Sequence, residues 1–209
     1  MSNTSVFQKA SLRPELQLIQ RWIKKDTKVL DLGCGDGQLL AYLKTDRKVK
    51  GYGLEIDEDK IAKCLSIGVN VIEQNLDGDL SNFAEKSFDT VIMTQALQVV
   101  QQPDKVLEEM TRIGKEAIVT FPNFGHWKTR LYLALHGRMP VSETLPHSWY
   151  NTPNIHLCTF NDFEELCHKN QYKILNRSVS DTNLKRGSWL GRRFPNLLEE
   201  IAIYRICKK

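Results

Sequence analysis

The chain lacks the cysteine spacing of a metal site. Its five cysteines, Cys34, Cys64, Cys158, Cys167 and Cys207, form no C-x-x-C pair and no matched His/Cys set, which argues against a bound metal and predicts reduced, mostly buried thiols. It also lacks any apolar run near the ~20 residues that cross a bilayer, and MSNTSVFQKA at the N-terminus has no apolar leader core. A cytoplasmic protein with no membrane partner is expected. No G-x-S-x-G occurs, so the strand-to-helix serine nucleophile of an acyl-transferring hydrolase fold is missing. A strong charge of one sign is absent too: the net charge of +4 and pI near 8.7 are too weak and dispersed to imply a nucleic-acid partner. The densest basic stretch, LKRGSWLGRR from Leu184 to Arg193, reads as a solvated loop. Internal repeats and low-complexity tracts are missing as well.

What is present is an ordinary globular composition: 209 residues, 41% hydrophobic and 26% charged. That length favours one domain over residues 1–209. Helical spacing runs through RPELQLIQRWIKK, with Pro14 suited to a first turn. A strand at Thr27 to Leu32 follows, then a helix in QLLAYLK and a strand in VKGYGLEI. DEDKIAKCLSIG reads as a helix with Asp57 as N-cap and Gly68 beyond its end. Short strands at Val69 to Glu73, in SFDTVIMTQAL and in EAIVTFPN alternate with the helix PDKVLEEMTRI. Such βαβ alternation predicts a doubly wound, Rossmann-like α/β fold: a mostly parallel sheet with helices on both faces. Beyond it lie a helix, GHWKTRLYLALHG, and an irregular Pro-bearing stretch, which together suggest a lid or interface insertion around 124–158. The helix NDFEELCHKN is expected to be capped by Asn161. QYKILNRSVSD and EEIAIYRICKK read as strands that pair antiparallel at one edge of the sheet.

The chemistry concentrates in VLDLGCGDGQLLAYL, where a strand runs through Gly33-Cys34-Gly35-Asp36 into a helix near Gly37. Glycines there allow a ligand to approach bare backbone. A triphosphate loop would need Gly-Lys-Ser/Thr, but Gly37 is followed by Gln38 and Leu39. A dinucleotide fingerprint would need glycine where Gln38 stands. The remaining pattern, D-x-G-x-G-x-G from Asp31, resembles the cofactor motif of class I S-adenosylmethionine-dependent methyltransferases. That resemblance implies a seven-stranded sheet and binding of S-adenosylmethionine or S-adenosylhomocysteine. It places Asp31, Gly33, Cys34, Gly35 and Gly37 at the ligand, with Glu55 and Ile56 at the end of the second strand. Glu55 has the two carboxylate oxygens needed to accept from both vicinal ribose hydroxyls. The loop Asn75-Leu76-Asp77 would lie along the adenine, with Asn75 or Asp77 reaching its amine. Gln95 and Ala96 would lie beside the methionine part.

MTQALQVVQQPDKVLEEM, TFPNFGHWKTRLYLALHGRMP and LPHSWYNTPNIHLCTFNDFEEL together resemble the MetW family of methionine biosynthesis proteins over nearly the whole chain. This resemblance implies association with homoserine O-acyltransferase, the acyl transfer itself belonging to that other chain. Many small-molecule methyltransferases carry a histidine shortly after the fourth strand, and Val99 stands at that place here. His126, Trp127, His147, Trp149 and Tyr150 offer either the wall of an acceptor pocket or a protein interface. Two readings follow: a ligand-binding partner that supports or tunes the acyltransferase, and an active methyltransferase on a small molecule.

Overall fold

The structure, a computed structural model, describes residues 13–142, 144–180 and 193–209. The N-terminal decapeptide and most of LKRGSWLGRR lie outside the described residues. In chain order the elements are α1 (Pro14–Ile19), β1 (Lys28–Leu32), α2 (Gln38–Arg47), β2 (Lys50–Glu55), α3 (Glu58–Ser66), β3 (Asn70–Glu73) and β4 (Phe88–Thr94). There follow α4 (Pro103–Ile113), β5 (Gly114–Pro122), α5 (Trp127–His136), α6 (Phe160–Lys169), β6 (Tyr172–Ser180), α7 (Pro195–Leu198) and β7 (Ile201–Lys208).

The strands form one seven-stranded sheet in the order β3-β2-β1-β4-β5-β7-β6. β1 to β5 pair in parallel, while β7 runs antiparallel to both β5 and β6. The expected doubly wound sheet with an antiparallel edge is therefore present. Its strand order reverses between β1 and β4, which opens a crevice beyond their carboxyl ends, the place where such sheets receive ligands.

Period-two side-chain alternation sorts the core onto the two faces. Leu30 and Leu32 of β1, Val91 and Met93 of β4, and Val119 and Phe121 of β5 pack with Leu107 and Met110 of α4 and Phe160 and Phe163 of α6. The intervening Val29, Ile92 and Ile118 pack on the other face with Leu16 and Ile19 of α1 and Leu39, Leu40 and Leu43 of α2. Phe121, Phe163 and Tyr204 form an aromatic knot, with Phe163 and Tyr204 ring centroids 4.6 Å apart. The Tyr204 hydroxyl donates to Glu164 at 2.7 Å, so burial of the ring does not strand its polar end.

Two local expectations are corrected. The first helix ends at Ile19 rather than running to Lys25. Its continuation consists of tighter turns, in which Arg21 N donates to Leu18 O and Trp22 N to Ile19 O, and Ile23 still reaches the core. The cap of α6 is Thr159, not Asn161. Thr159 Oγ1 accepts from Asp162 N while the Asp162 carboxylate accepts from Thr159 N at 2.9 Å, a reciprocal pair that Asn161, two residues past the cap, is too late to make. Asp57 caps α3 as expected, accepting from Lys60 N.

The cap assignment predicts that Thr159→Ala costs about 1 kcal/mol, read as a fall in Tm of about 2–4 °C in circular-dichroism melts. Asn161→Ala should leave Tm unchanged.

Candidate functional site

The glycine turn is held from beneath by β2. Gly33 N and Cys34 N both donate to Leu54 O, at 2.9 and 3.0 Å. Gly35 N donates to Glu55 Oε2 at 2.9 Å. Glu55 Oε1 accepts from Ile56 N and Asp57 N, at 2.9 and 3.1 Å. The carboxylate is buried and takes three backbone donors. A carboxylate has about four acceptor positions, so capacity remains for a hydroxyl approaching from the crevice.

Gly33, Gly35 and Gly37 all have positive φ, at 73°, 58° and 75°. Their surroundings differ. A Cβ on Gly37 would lie 2.8 Å from Cys64 Sγ, so this glycine lets α3 pack against the start of α2. A Cβ on Gly33 would touch Ala96 at 3.4 Å and Leu76 at 3.6 Å, while one on Gly35 would meet nothing within 4 Å. Gly35 thus faces open space, and its neighbour Gly33 is flanked by the two loops singled out for adenine and methionine.

Cys34 turns the other way. Its sulfur lies under Gly53, where any Cβ would overlap it, and 3.9 Å from Cys64 Sγ. Cys34 therefore offers a ligand its backbone only. Burial pushes its thiol pKa far above the ordinary range, helped by the nearby Asp31 charge.

Asp31 is 1% exposed, and its Oδ1 has no hydrogen-bond partner. Burial raises its pKa from 3.8 to about 7, with Arg13 opposing the rise and the Glu55 charge adding to it. By strand alternation Asp31 shares the face of Val29, over which α1 lies. There Glu15 is also buried, forming an ion pair with Arg13 at 3.2 Å and accepting from Gln95 Nε2 at 2.9 Å. Gln95 is a non-glycine residue at φ 52°, fixed by donation from its N–H to Thr120. Strained backbone of this kind persists where its surroundings over-determine it.

The remaining expected residues divide. Ile56 is exposed beside Glu55. Asn75 Oδ1 accepts from Asp77 N at 3.0 Å, and Asp77 Oδ1 accepts from Gln101 N at 2.7 Å. Both side chains thus shape their loops, and Asp77 ties the β3 loop to the one after β4. His126 is buried, burial lowers its pKa, and its ring packs against Trp127, with centroids 5.9 Å apart. Trp149 and Tyr150 project outward, 76% and 72% exposed. Glu15, Gln98 and Thr120 are the site neighbours that the sequence pattern missed. Glu15 stands in a first helical turn, where acids are common, and its contact with Gln95 spans 80 positions.

Residues 13–206 match the family model described as methionine biosynthesis protein MetW. The chain belongs to the MetW family. A curated relative, the bifunctional methionine biosynthesis protein MetXA/MetW of Rhodopirellula baltica, is 33% identical over 165 residues, covering 75% of this chain. The chain spans about a quarter (26%) of that relative's length. Among solved structures, a putative S-adenosylmethionine-dependent methyltransferase from Listeria monocytogenes superposes with a TM-score of 0.68 at 13% identity, covering 94% of this chain and 98% of that one. A TehB-like S-adenosylmethionine-dependent methyltransferase from Corynebacterium glutamicum gives 0.61 at 18% identity, with coverages of 95% and 89%. The fold of this MetW-family chain is thus that of class I methyltransferases. Among the described residues no helix is long and apolar enough to cross a membrane, and no cluster of His, Cys, Asp and Glu could hold a metal.

The Asp31 environment has a pH consequence. Folded, the carboxyl keeps its proton up to about 7; unfolded, it loses it near the ordinary 3.8. Between those values the folded state binds more protons, so this group's contribution to stability is full at acid pH and is lost as pH rises towards 7. Asp31→Asn should therefore gain Tm relative to wild type on going from pH 5 to pH 8, by several degrees in parallel melts.

Proposed function

We propose that this chain binds S-adenosylmethionine, or its demethylated product S-adenosylhomocysteine, at the glycine turn. On this reading it works with homoserine O-acyltransferase in methionine biosynthesis. The observation that carries the ligand half is the orphaned Oδ1 of Asp31 beside a glycine turn whose Gly35 faces open space. A buried carboxylate without a partner is costly, and a bound donor relieves it. S-adenosylmethionine carries an ammonium group and a sulfonium centre as well as ribose hydroxyls, so it supplies both a donor for Asp31 and partners for Glu55. Asn75 or Asp77 would meet the adenine amine, and Gln95 and Ala96 the methionine end.

The partner half is supported by the Rhodopirellula relative, whose name joins a MetXA part to a MetW part in one chain. Fusion holds two modules at high effective concentration, an arrangement that serves modules acting together. The acyl transfer belongs to the partner, since this sequence contains no G-x-S-x-G. We further place the chain in the cytoplasm and treat residues 124–158 as an insertion within one domain that serves the partner. Ligand tuning of the partner requires different affinities of S-adenosylmethionine for the free and partnered forms.

The competing reading is methyl transfer to a small acceptor. Alignment and water exclusion supply much of that reaction's acceleration. Against it, Val99 offers no base at the position after β4, and Trp149 and Tyr150 stand in solvent rather than closing a pocket.

Calorimetry should show S-adenosylmethionine binding to the wild type. Glu55→Ala should weaken it about 10-fold or more, because charge-assisted hydrogen bonds are worth roughly 1.5–3 kcal/mol each. Unchanged affinity would refute the assignment of Glu55. Acyltransferase assays with the partner alone, with this chain, and with this chain plus S-adenosylmethionine should give three different rates. Equal rates in all mixtures would sink the partnership, and labelled methyl transfer that depends on Glu55 would favour the competing reading.

A further inference from the structure

Helix α5 is built as no free-standing surface helix should be. Of its ten residues only Thr129 is buried, yet its sequence is WKTRLYLALH. Trp127, Leu131, Tyr132 and Leu133 are 40–47% exposed and Leu135 is 70% exposed. Trp127, Leu131 and Leu135 follow four-residue spacing and make one stripe, while Leu133 lies on a different side of the helix. An amphipathic helix turns its apolar stripe to its own core; here the core takes one threonine and leaves the apolar side chains outside. Exposed apolar patches rimmed by polar groups mark interaction sites.

The charge around this helix decides between occupants. From Asn123 to Ser142 there is no acidic residue, while Lys128, Arg130, His136 and Arg138 surround the apolar side chains. Lys128 forms an ion pair with Glu200 at 3.5 Å. A two-fold contact between copies of the chain would set this cationic helix against itself. A partner with an apolar groove rimmed by carboxylates complements it instead, and charge complementarity of this kind suppresses wrong partners.

Resting on the proposed partnership, we propose that α5 is the segment that inserts into homoserine O-acyltransferase, in an apolar groove bordered by acidic residues. Trp127, Leu131 and Leu135 are its anchors, and Lys128 and Arg138 its charged rim. The mode is a helix laid in a groove. A shallow apolar hollow of about 350 Å³ beside the helix, shared by Leu131 and Leu197 of α7, is placed to receive a side chain in return.

The test measures the Kd of the purified full chain for the purified homoserine O-acyltransferase of the same organism. The variants are Leu131→Asp/Leu135→Asp, Arg138→Glu, and Leu65→Asp on α3, which packs on the β3 edge of the sheet, where Leu65 is 62% exposed. All four side chains are exposed, so melting curves should match the wild type. The double variant should bind about 30-fold or more weakly, Arg138→Glu should bind more weakly with a reduced salt dependence, and Leu65→Asp should bind as the wild type does. Wild-type binding that survives both α5 variants overturns this inference and leaves the partnership standing. Failure of the wild type to bind overturns the partnership, and this inference with it. Sedimentation showing that the wild type self-associates through α5, with acyltransferase binding unaffected by the double variant, assigns the face to a second copy and overturns the inference.

Discussion

The carbonyl of Leu54 holds the whole site together. It receives two consecutive amides from the glycine turn, Gly33 N and Cys34 N, and the next residue, Glu55, takes the amide of Gly35 on its carboxylate. The turn after β1 and the end of β2 are therefore one rigid piece. The packing beneath agrees with this: Gly53 leaves room for the Cys34 side chain, and Gly37 leaves room for Cys64 of α3, whose sulfur contacts Gly35 O at 3.2 Å. Gly53 and Gly37 serve the protein's own packing, while Gly35 of the turn faces open space. The shape of the turn is thus set by the chain's own hydrogen bonds and packing, and a surface set in advance limits the entropy cost of any binding there.

Asp31 explains why such rigidity is not free of strain. Its carboxyl is buried with one oxygen unpaired and its pKa is raised to about 7. Near neutral pH the folded protein thus holds this group poised between acid and carboxylate, with Arg13 the counter-charge and Glu55 working against it. A cationic ligand group placed there would favour the ionised form, so binding and proton release are linked. Stability given up at this point matches the pattern of functional sites, where local cost is offset by what binds.

The parallel sheet with its antiparallel edge and the glycine turn were legible in the sequence because each rests on local signals: short apolar runs at β1, β4 and β5 alternating with helices, and glycines two apart beside a strand end; the strand order comes from tertiary pairing. Glu55 was legible for the same reason, as the last residue of a strand register. Glu15 was not. Its burial comes from the meeting of α1 with the loop after β4, and no periodic signal connects positions 80 apart. The cap of α6 was misplaced although its signal was present: Thr159 with Asp162 three residues on outcompetes Asn161, because two reciprocal bonds beat one. The stretch that holds α5 reads as a lid or interface insertion, but WKTRLYLALH does not say which of its side chains stay outside; the tertiary structure buries only Thr129 among its ten residues.

The loop after β4 joins the region of the glycine turn to the irregular stretch that follows α5. Gln95, at its start, bonds to Glu15 of α1, and Gln101, at its end, bonds to Asp77 of the β3 loop. Between them the carbonyl of Gln98 accepts from Ile155 N and His156 N, at 2.9 and 3.1 Å. Those two amides belong to the irregular stretch that leads on from α5. A single loop therefore carries the residues expected at the methionine end of the ligand and the anchor of the segment expected at the partner. The Gln98 side chain adds to this, with Nε2 on Gln95 O at 2.9 Å and Oε1 buried without a partner. Contiguity alone does not couple two sites; coupling needs an element with two arrangements that both ligands bias. The Gln95 backbone, at φ 52°, is held by Thr120 on one side, and its side chain by Glu15 on the other, so the start of this loop is tied to both β5 and α1. On the proposed reading, any coupling carried by Gln95 and the Gln98 carbonyl would have to act equally in both directions, on partner and on ligand.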